Sequence, residues 1–300
     1  MAHRHDHPAS RYDRAFAIGV SLNTLFVLVE AGFGTVTGSL ALLADAGHNF
    51  SDVIGLLLSW GASLLARRVA TERRTYGFRK ATIIASFFSA ILLLVALGGI
   101  TTEAVGRLFH PAPVEGSVVI LVAAIGVVIN AVTAILFFSG QKSDLNIRGA
   151  YLHMAADAGV SLGVVAAGVV IALKGWLWVD PAISLFIVVV IFIGTWRLLR
   201  HSLNLTLDAV PEGVDIAGIR SYLAGVDHVV QIHDLHIWAL STTEAALTVH
   251  LVTTDETFPT DKLRELQQHL HDRFGIAHST VQVEKQTSEN TCLLDKPTCD

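Results

Sequence analysis

Two strings of this chain repeat one pattern of metal-binding side chains: His48-Asn49-Phe50-Ser51-Asp52 and His153-Met154-Ala155-Ala156-Asp157. Residues four apart on an α-helix lie one turn apart on one face, so each HxxxD turns an imidazole and a carboxylate the same way. Together they supply two nitrogens and two oxygens. That set suits four-coordinate Zn²⁺ best, admits Co²⁺ or Fe²⁺ by ligand type, and favours Cd²⁺ less because it lacks sulfur. Both strings lie in strongly apolar sequence, where an ionisable side chain is costly and is a functional candidate by default. Glu30, Asp45 and Glu103 share that setting. Asp45, three residues before His48 on the same face, is expected to support a ligand or lie on a proton path. Glu30, Asn23 and Asn130 are expected to hydrogen-bond between helices, and Glu103, near a helix end, to face water. Polar residues joining helices without metal would account for one HxxxD, but poorly for two.

The elements that position these residues follow from composition. Of 300 residues, 52% are hydrophobic and 16% charged, and the mean hydropathy is +0.55. Such a chain is not disordered, and an ordinary soluble globular fold is disfavoured. A net charge of −5 with pI near 6.3 argues against a nucleic-acid partner, which needs a basic surface. Six apolar stretches occupy residues 15–36, 40–66, 81–108, 117–139, 150–173 and 182–199. Each is near the ~20 residues that cross ~30 Å of hydrocarbon. The expected fold class is an α-helical membrane protein with six transmembrane helices over residues 14–201, embedded in a lipid bilayer. The start, MAHRHDHPASRYDR, is polar rather than a cleavable signal, so residues 1–13 form an arm carrying His3, His5 and His7.

Basic residues orient the helices. Arg4, Arg11, Arg14, Arg67, Arg68, Arg73, Arg74, Arg79, Lys80, Lys142, Arg148, Arg197 and Arg200 fall on one side, and only Arg107 and Lys174 on the other. The positive-inside rule puts both termini in the cytoplasm of a multi-pass protein of the cell's inner membrane, with Trp176 and Trp178 at the outer interface. Depth then gives an independent check on the motifs. His48 and Asp52 lie roughly 12–18 Å below the outer start of the second helix, and His153 and Asp157 roughly 10–17 Å above the cytoplasmic start of the fifth. The motifs meet near the midplane. Because the helices are antiparallel, His48 is level with Asp157 and Asp52 with His153.

Beyond LTLDAVPEGVD the composition becomes that of a small soluble domain, residues 208–285, followed by a tail, 286–300, with Cys292 and Cys299. Helical periodicity at 214–223, β-rich runs at 228–240 and 244–252, an amphipathic helix at 259–274 and a short strand at 280–285 give the order αββαβ. A small sheet covered on one face by helices is expected. Two cysteines are too few for a disulfide framework.

The strings LLADAGHNFSDV, RRTYGFRKATI, SDLNIRGAYLHMAADAGVSLGVV, HDLHIW and HSTVQVEK together resemble the cation diffusion facilitator family, in its bacterial and vertebrate zinc-transporter branch. The likeness covers about residues 12–285. It implies a homodimeric six-helix zinc exporter with a metallochaperone-like cytoplasmic domain, exchanging metal for protons. His48, Asp52, His153 and Asp157 match the transport-site ligands, and His at position 48 matches the zinc-selective members. His233 and His250 match positions where dimer-interface metals bind, and Glu284 falls near another. Cys292 and Cys299 match tail cysteines that complete such a site in some relatives, although two thiols in a reducing cytosol need no such explanation. The family's loop site between the second and third helices is expected to be missing, because residues 67–75 hold no His or Asp. Lys262 stands about where relatives have a histidine. His236, Trp238 and His278 are expected to pack or hydrogen-bond, and His269 and His271 to face water. Lys80 and Asp208 match an interlock between the two parts of the molecule. As a surface ion pair they would merely face water.

These residues imply an antiporter. Metal binds neutral imidazole and ionised carboxylate, so loading the site displaces protons, and protons from the outer side then displace the metal. Zn²⁺ is thereby the substrate, and also a candidate structural or regulatory ligand of the cytoplasmic domain; no other cofactor is expected. A membrane-anchored metal sensor is the alternative, although an anchor needs no four convergent ligands. An intramembrane metalloenzyme is a weaker one: no HExxH occurs, and the apolar helices hold no HxxxH or HxxHH box. The protein is therefore read as no enzyme.

Overall fold

The computed structural model describes residues 9–66, 68–138, 145–254 and 258–286. Six long helices come first: α1 (Ala9–Thr37), α2 (Leu40–Ala66), α3 (Ala81–Phe109), α4 (Gly116–Phe138), α5 (Leu145–Lys174) and α6 (Val179–Thr206). Several outrun their apolar stretches. The 30 residues of α5 make about 45 Å at 1.5 Å per residue, against ~30 Å of hydrocarbon. Among the described residues, spans in α3, α4, α5 and α6 are long and apolar enough to cross a membrane. This is a helical transmembrane domain followed by a small α+β domain.

The chain divides into two compact units. The first, Met1–Leu57 with Phe88–Leu198, packs Phe26, Leu42, Leu97, Val119, Val122, Val164, Ile187 and Ile191 into a core. Large side chains such as Leu92, Leu121, Leu162, Phe186 and Ile193 point outward, as they would toward lipid. Helices α4 and α5 cross closely at Gly116 and Gly168: a Cβ on Gly116 would stand 2.8 Å from the Gly168 carbonyl oxygen. Small residues at such a crossing let backbones touch and gain dispersion contact.

A different device joins α2 to α6. Asp180, fully buried in the first turn of α6, accepts hydrogen bonds from Ser39 Oγ at 2.5 Å, Leu40 N–H at 2.8 Å and Ala41 N–H at 3.3 Å. The first N–H groups of a helix have no partner within it. Here a carboxylate from another helix satisfies those of α2. Arg107 of α3 donates to the Gly38 carbonyl in the same turn.

The second unit comprises Leu58–Phe87 with Leu199–Asp300. Its elements are α7 (Ile216–Ala224), β1 (Val229–Ala239), β2 (Ala245–Thr253), α8 (Thr260–Phe274) and β3 (Ile276–Lys285). Asp215 caps α7 by accepting from Gly218 N–H at 2.8 Å. Gly275, with φ of 71°, ends α8 in the left-handed conformation that glycine adopts freely. The sheet order is β1-β2-β3, with β1 antiparallel and β3 parallel to β2. Ile219 and Leu223 of α7 and Leu266 and Leu270 of α8 pack with Ile237, Leu247, Val249, Leu251 and Ile276. The helices therefore cover one face, and alternation turns Thr248 and His250 to the other. Strand β3 starts at Ile276, four residues before its expected start, because parallel pairing with Ala245–Thr248 takes up His278 and Ser279, whose polarity blurs the alternation.

Within this unit the α2–α3 connection meets the α+β elements. Arg79 Nη1 donates to Glu244 Oε2 at 2.9 Å, and Lys80 Nζ to Asp208 Oδ1 at 2.6 Å. Ile83, Leu205 and Ala239 form a small buried cluster.

Candidate metal sites

In the membrane unit the two HxxxD helices face each other. His48 Nε2 lies 3.3 Å from Asp157 Oδ1, and Asp157 is 2% exposed. One turn toward the start of α2, the fully buried Asp45 accepts from Ser161 Oγ at 2.8 Å. Asp45 meets Ser161 and His48 meets Asp157, so the helices run antiparallel. The same register carried one turn further brings position 52 level with position 153. The side chains of Asp52 and His153 themselves lie outside the described residues.

Around this pair the burial is unusual. Glu30 is fully buried in α1, against Asp45 and Asn49 of α2. Asn130 is also fully buried, with both side-chain polar atoms unpartnered among the described residues. The Asn23 side chain lies outside the described residues. A Cβ on Gly126 would stand 3.3 Å from Ser161 Oγ, so Asn130, one turn along α4, is level with Asp157. Sequence reasoning missed its position beside the site. Glu103, expected to be solvated, accepts from Arg107 Nε at 2.9 Å and stays exposed.

The second group stands on the open face of the sheet. His233 and His250 are direct cross-strand partners, and their rings lie 5.0 Å apart at 76°. Glu284 reaches both: its Oε2 is 3.2 Å from His233 Nε2, and its Oε1 is 2.9 Å from His250 Nδ1. Each of the three offers a ligand atom within 4.8 Å of the others. Two imidazole nitrogens and a carboxylate suit Zn²⁺ or a similar cation. His233 is 7% exposed, and its Nδ1 has no hydrogen-bond partner among the described residues. Gln282 Nε2 donates to Glu284 Oε1 at 2.9 Å.

One residue here escaped sequence reasoning. Asp234 Oδ1 accepts from His236 Nε2 at 2.9 Å, and its Oδ2 lies 3.6 Å from His250 Nε2. The signal was present in the string HDLH, whose polar residues recur at three rather than two and so mark an irregular strand.

Other expected positions fall as follows. His236 hydrogen-bonds as expected, and His278 packs edge-on against Tyr76 with centroids 5.6 Å apart. His269 does not simply face water: it stacks on Tyr222 at 3.9 Å and 15°, because α7 lays an aromatic ring beside it. Burial, with the nearby Glu265 charge, raises the Tyr222 hydroxyl above its ordinary pKa. Lys262 Nζ lies 3.5 Å from Asp227 Oδ2. His3, His5, His7, Arg67, Cys292 and Cys299 lie outside the described residues.

Comparison with known proteins decides the family. The model for the cation efflux transmembrane domain matches residues 16–205, and that for the cation efflux protein cytoplasmic domain matches residues 211–286. The chain belongs to the cation efflux family. Its relatives in that family include the metal cation efflux system protein CzcD of Cupriavidus metallidurans, 39% identical over 94% of this chain and 89% of the relative. The cadmium, cobalt and zinc/H(+)-K(+) antiporter of Bacillus velezensis is 32% identical over 99% of this chain and 97% of its own. Zinc transporter ZitB of Escherichia coli is 34% identical over 95% and 93%. Among solved structures, a metal-bound C-terminal domain of the CzcD transporter is 42% identical, covering 24% of this chain and 99% of that one, with a TM-score of 0.22. This cation efflux family member is thus a multi-pass membrane transporter of metal cations with a cytoplasmic domain, and not an enzyme.

Proposed function

We propose that the protein exports zinc from the cytosol in exchange for protons, through a four-coordinate site made by His48, Asp52, His153 and Asp157. The observation that carries this reading is the approach of His48 to Asp157 at 3.3 Å across antiparallel helices, beside the buried Asp45–Ser161 hydrogen bond. A single cation between α2 and α5 is offered imidazole and carboxylate from each. Facing the cytosol, the site takes Zn²⁺ on neutral imidazole and ionised carboxylate. Facing outward, protons compete for the same lone pairs and release it. Asp45 holds its carboxylate one turn outward of His48, where it either supports the ligand or hands protons to it. The relatives named for zinc transport and for exchange with H(+) support the substrate and the counter-ion.

The rest of the reading attaches to this site. The protein sits in the inner membrane with both termini in the cytoplasm and works as a homodimer, a state supported by the cytoplasmic-domain family match. His233, His250 and Glu284 bind a structural or regulatory zinc, with Cys292 and Cys299 as further candidate ligands. Domain limits at 1–13, 14–201, 208–285 and 286–300 divide the arm, the transmembrane domain, the soluble domain and the tail. Lys80 and Asp208 act as a hinge between the membrane helices and the soluble domain; their 2.6 Å contact supports this.

Zinc uptake into inside-out vesicles under an imposed pH gradient tests the proposal. Asp157→Ala is expected to abolish gradient-driven uptake, whereas His233→Ala keeps it and changes its zinc dependence. Continued uptake by Asp157→Ala would overturn the membrane site, and uptake indifferent to the pH gradient would overturn the antiport.

A further inference from the structure

We propose that Asp234 is the positioning residue of the cytoplasmic site: its carboxylate holds His250 by Nε2 and so commits Nδ1 to the ion shared with His233 and Glu284. The inference rests on the reading of that trio as a zinc site. It starts from a break in β1. His233 pairs with His250 and His236 with Thr248, so three steps of β1 run against two of β2. That is one extra residue, a bulge. Asp234 lies in it with φ of 53°, the left-handed region, which Asp enters more readily than most residues.

The consequence is directional. In a regular strand Asp234 would point away from the face that holds His233 and His250. The bulge brings its carboxylate back, so that Oδ1 reaches His236 Nε2 at 2.9 Å and Oδ2 reaches within 3.6 Å of His250 Nε2. The His236 hydrogen bond fixes the carboxylate plane, and a shift of under about 1 Å brings the other contact within hydrogen-bond range.

Tautomer chemistry supplies the rest. A neutral imidazole has one N–H and one lone pair, and a metal needs the lone pair. His250 has carboxylates on both sides. On the Nδ1 side, Glu284 Oε1 is 2.9 Å away but off the direction a hydrogen bond requires. On the Nε2 side the carboxylate of Asp234 stands 3.6 Å away, close enough to accept after a small shift. The proton therefore belongs on Nε2, and the Nδ1 lone pair converges with His233 Nε2 and the Glu284 carboxylate. Carboxylates that hold a ligating histidine this way typically change metal affinity 10–100-fold.

The test uses the full-length chain in detergent, with zinc equivalents and affinities read by competition with a chromophoric chelator. Cobalt(II) absorption reports geometry, and thermal melting without metal reports folding. His233→Ala is expected to lose one equivalent. Asp234→Gly, which keeps the backbone conformation, is expected to keep that equivalent at about 10–100-fold weaker affinity, with unchanged metal-free melting and a shifted cobalt spectrum. Asp234→Asn, which still presents a carbonyl acceptor and tolerates positive φ, is expected to recover most of the loss. If His233→Ala loses an equivalent while Asp234→Gly binds like the parent, the positioning role is overturned alone. If Asp234→Gly loses the equivalent entirely while folding normally, Asp234 is a ligand and not a positioning residue. If Asn binds as weakly as Gly, bare charge acts rather than a hydrogen bond. If His233→Ala loses nothing, the site reading falls and this proposal with it.

Discussion

The two candidate sites are built by opposite means. In the membrane, a four-residue spacing on each of two helices presents His and Asp on one face, and the helices need only stand antiparallel for His48 to meet Asp157. In the cytoplasmic unit no local spacing does this. His233, His250 and Glu284 come from three strands, brought together by register, and the bulge adds Asp234. Helical sites can therefore be read from periodicity, while sheet sites depend on pairings that the local sequence does not state. The difference extends to setting. Asp157 is nearly fully buried, whereas Glu284 is 28% exposed.

That contrast is sharpest in transport. Asp157→Ala is expected to reduce gradient-driven zinc flux by more than about 100-fold, since even an outer partner of a ligand is worth 10–100-fold in metal affinity; vesicle uptake measures it. His48→Asp should alter selectivity rather than abolish transport. Because His at this position matches the zinc-selective members of the family it resembles, cadmium should rise relative to zinc by about tenfold, or ~1.4 kcal/mol, checked by competition between the two metals for uptake. His233→Ala should leave maximal flux within about threefold, under ~1 kcal/mol, while shifting its zinc dependence. Equal losses in Asp157→Ala and His233→Ala would erase the comparison. The smallest effect is expected from Lys80→Ala. The pair with Asp208 is 45% and 57% exposed, so the thermal midpoint should move by less than the equivalent of ~1 kcal/mol, read by melting in detergent.

How far the sequence was legible follows the same division. The six helices and the HxxxD faces could be read because hydrophobic runs and i, i+4 spacing are local facts. The order αββαβ was readable too, since each element carries its own period, but the start of β3 was not, because its polar residues are held by pairing with β2. Asp234 was hidden by a backbone irregularity. Asp180 was hidden differently: it precedes Pro181 at a helix start, an ordinary place for an acid, and nothing local says that the donors it accepts belong to residues 39–41. Asn130 looked like generic helix glue, and only the α4–α5 packing puts it level with Asp157.

The Asp180 contact also has a mechanical meaning. Helix α2 is fastened at its first turn to another helix and carries its candidate ligands further along, which makes it a lever with its fulcrum at Leu40. At 1.5 Å per residue the arm is about 12 Å to His48 and about 18 Å to Asp52. A swing of about 10° on that fulcrum displaces the two by about 2 Å and 3 Å, comparable to the ~2 Å length of a zinc–ligand bond. A small angle at a fixed pin is thus enough to move these two side chains by the length of a metal–ligand bond.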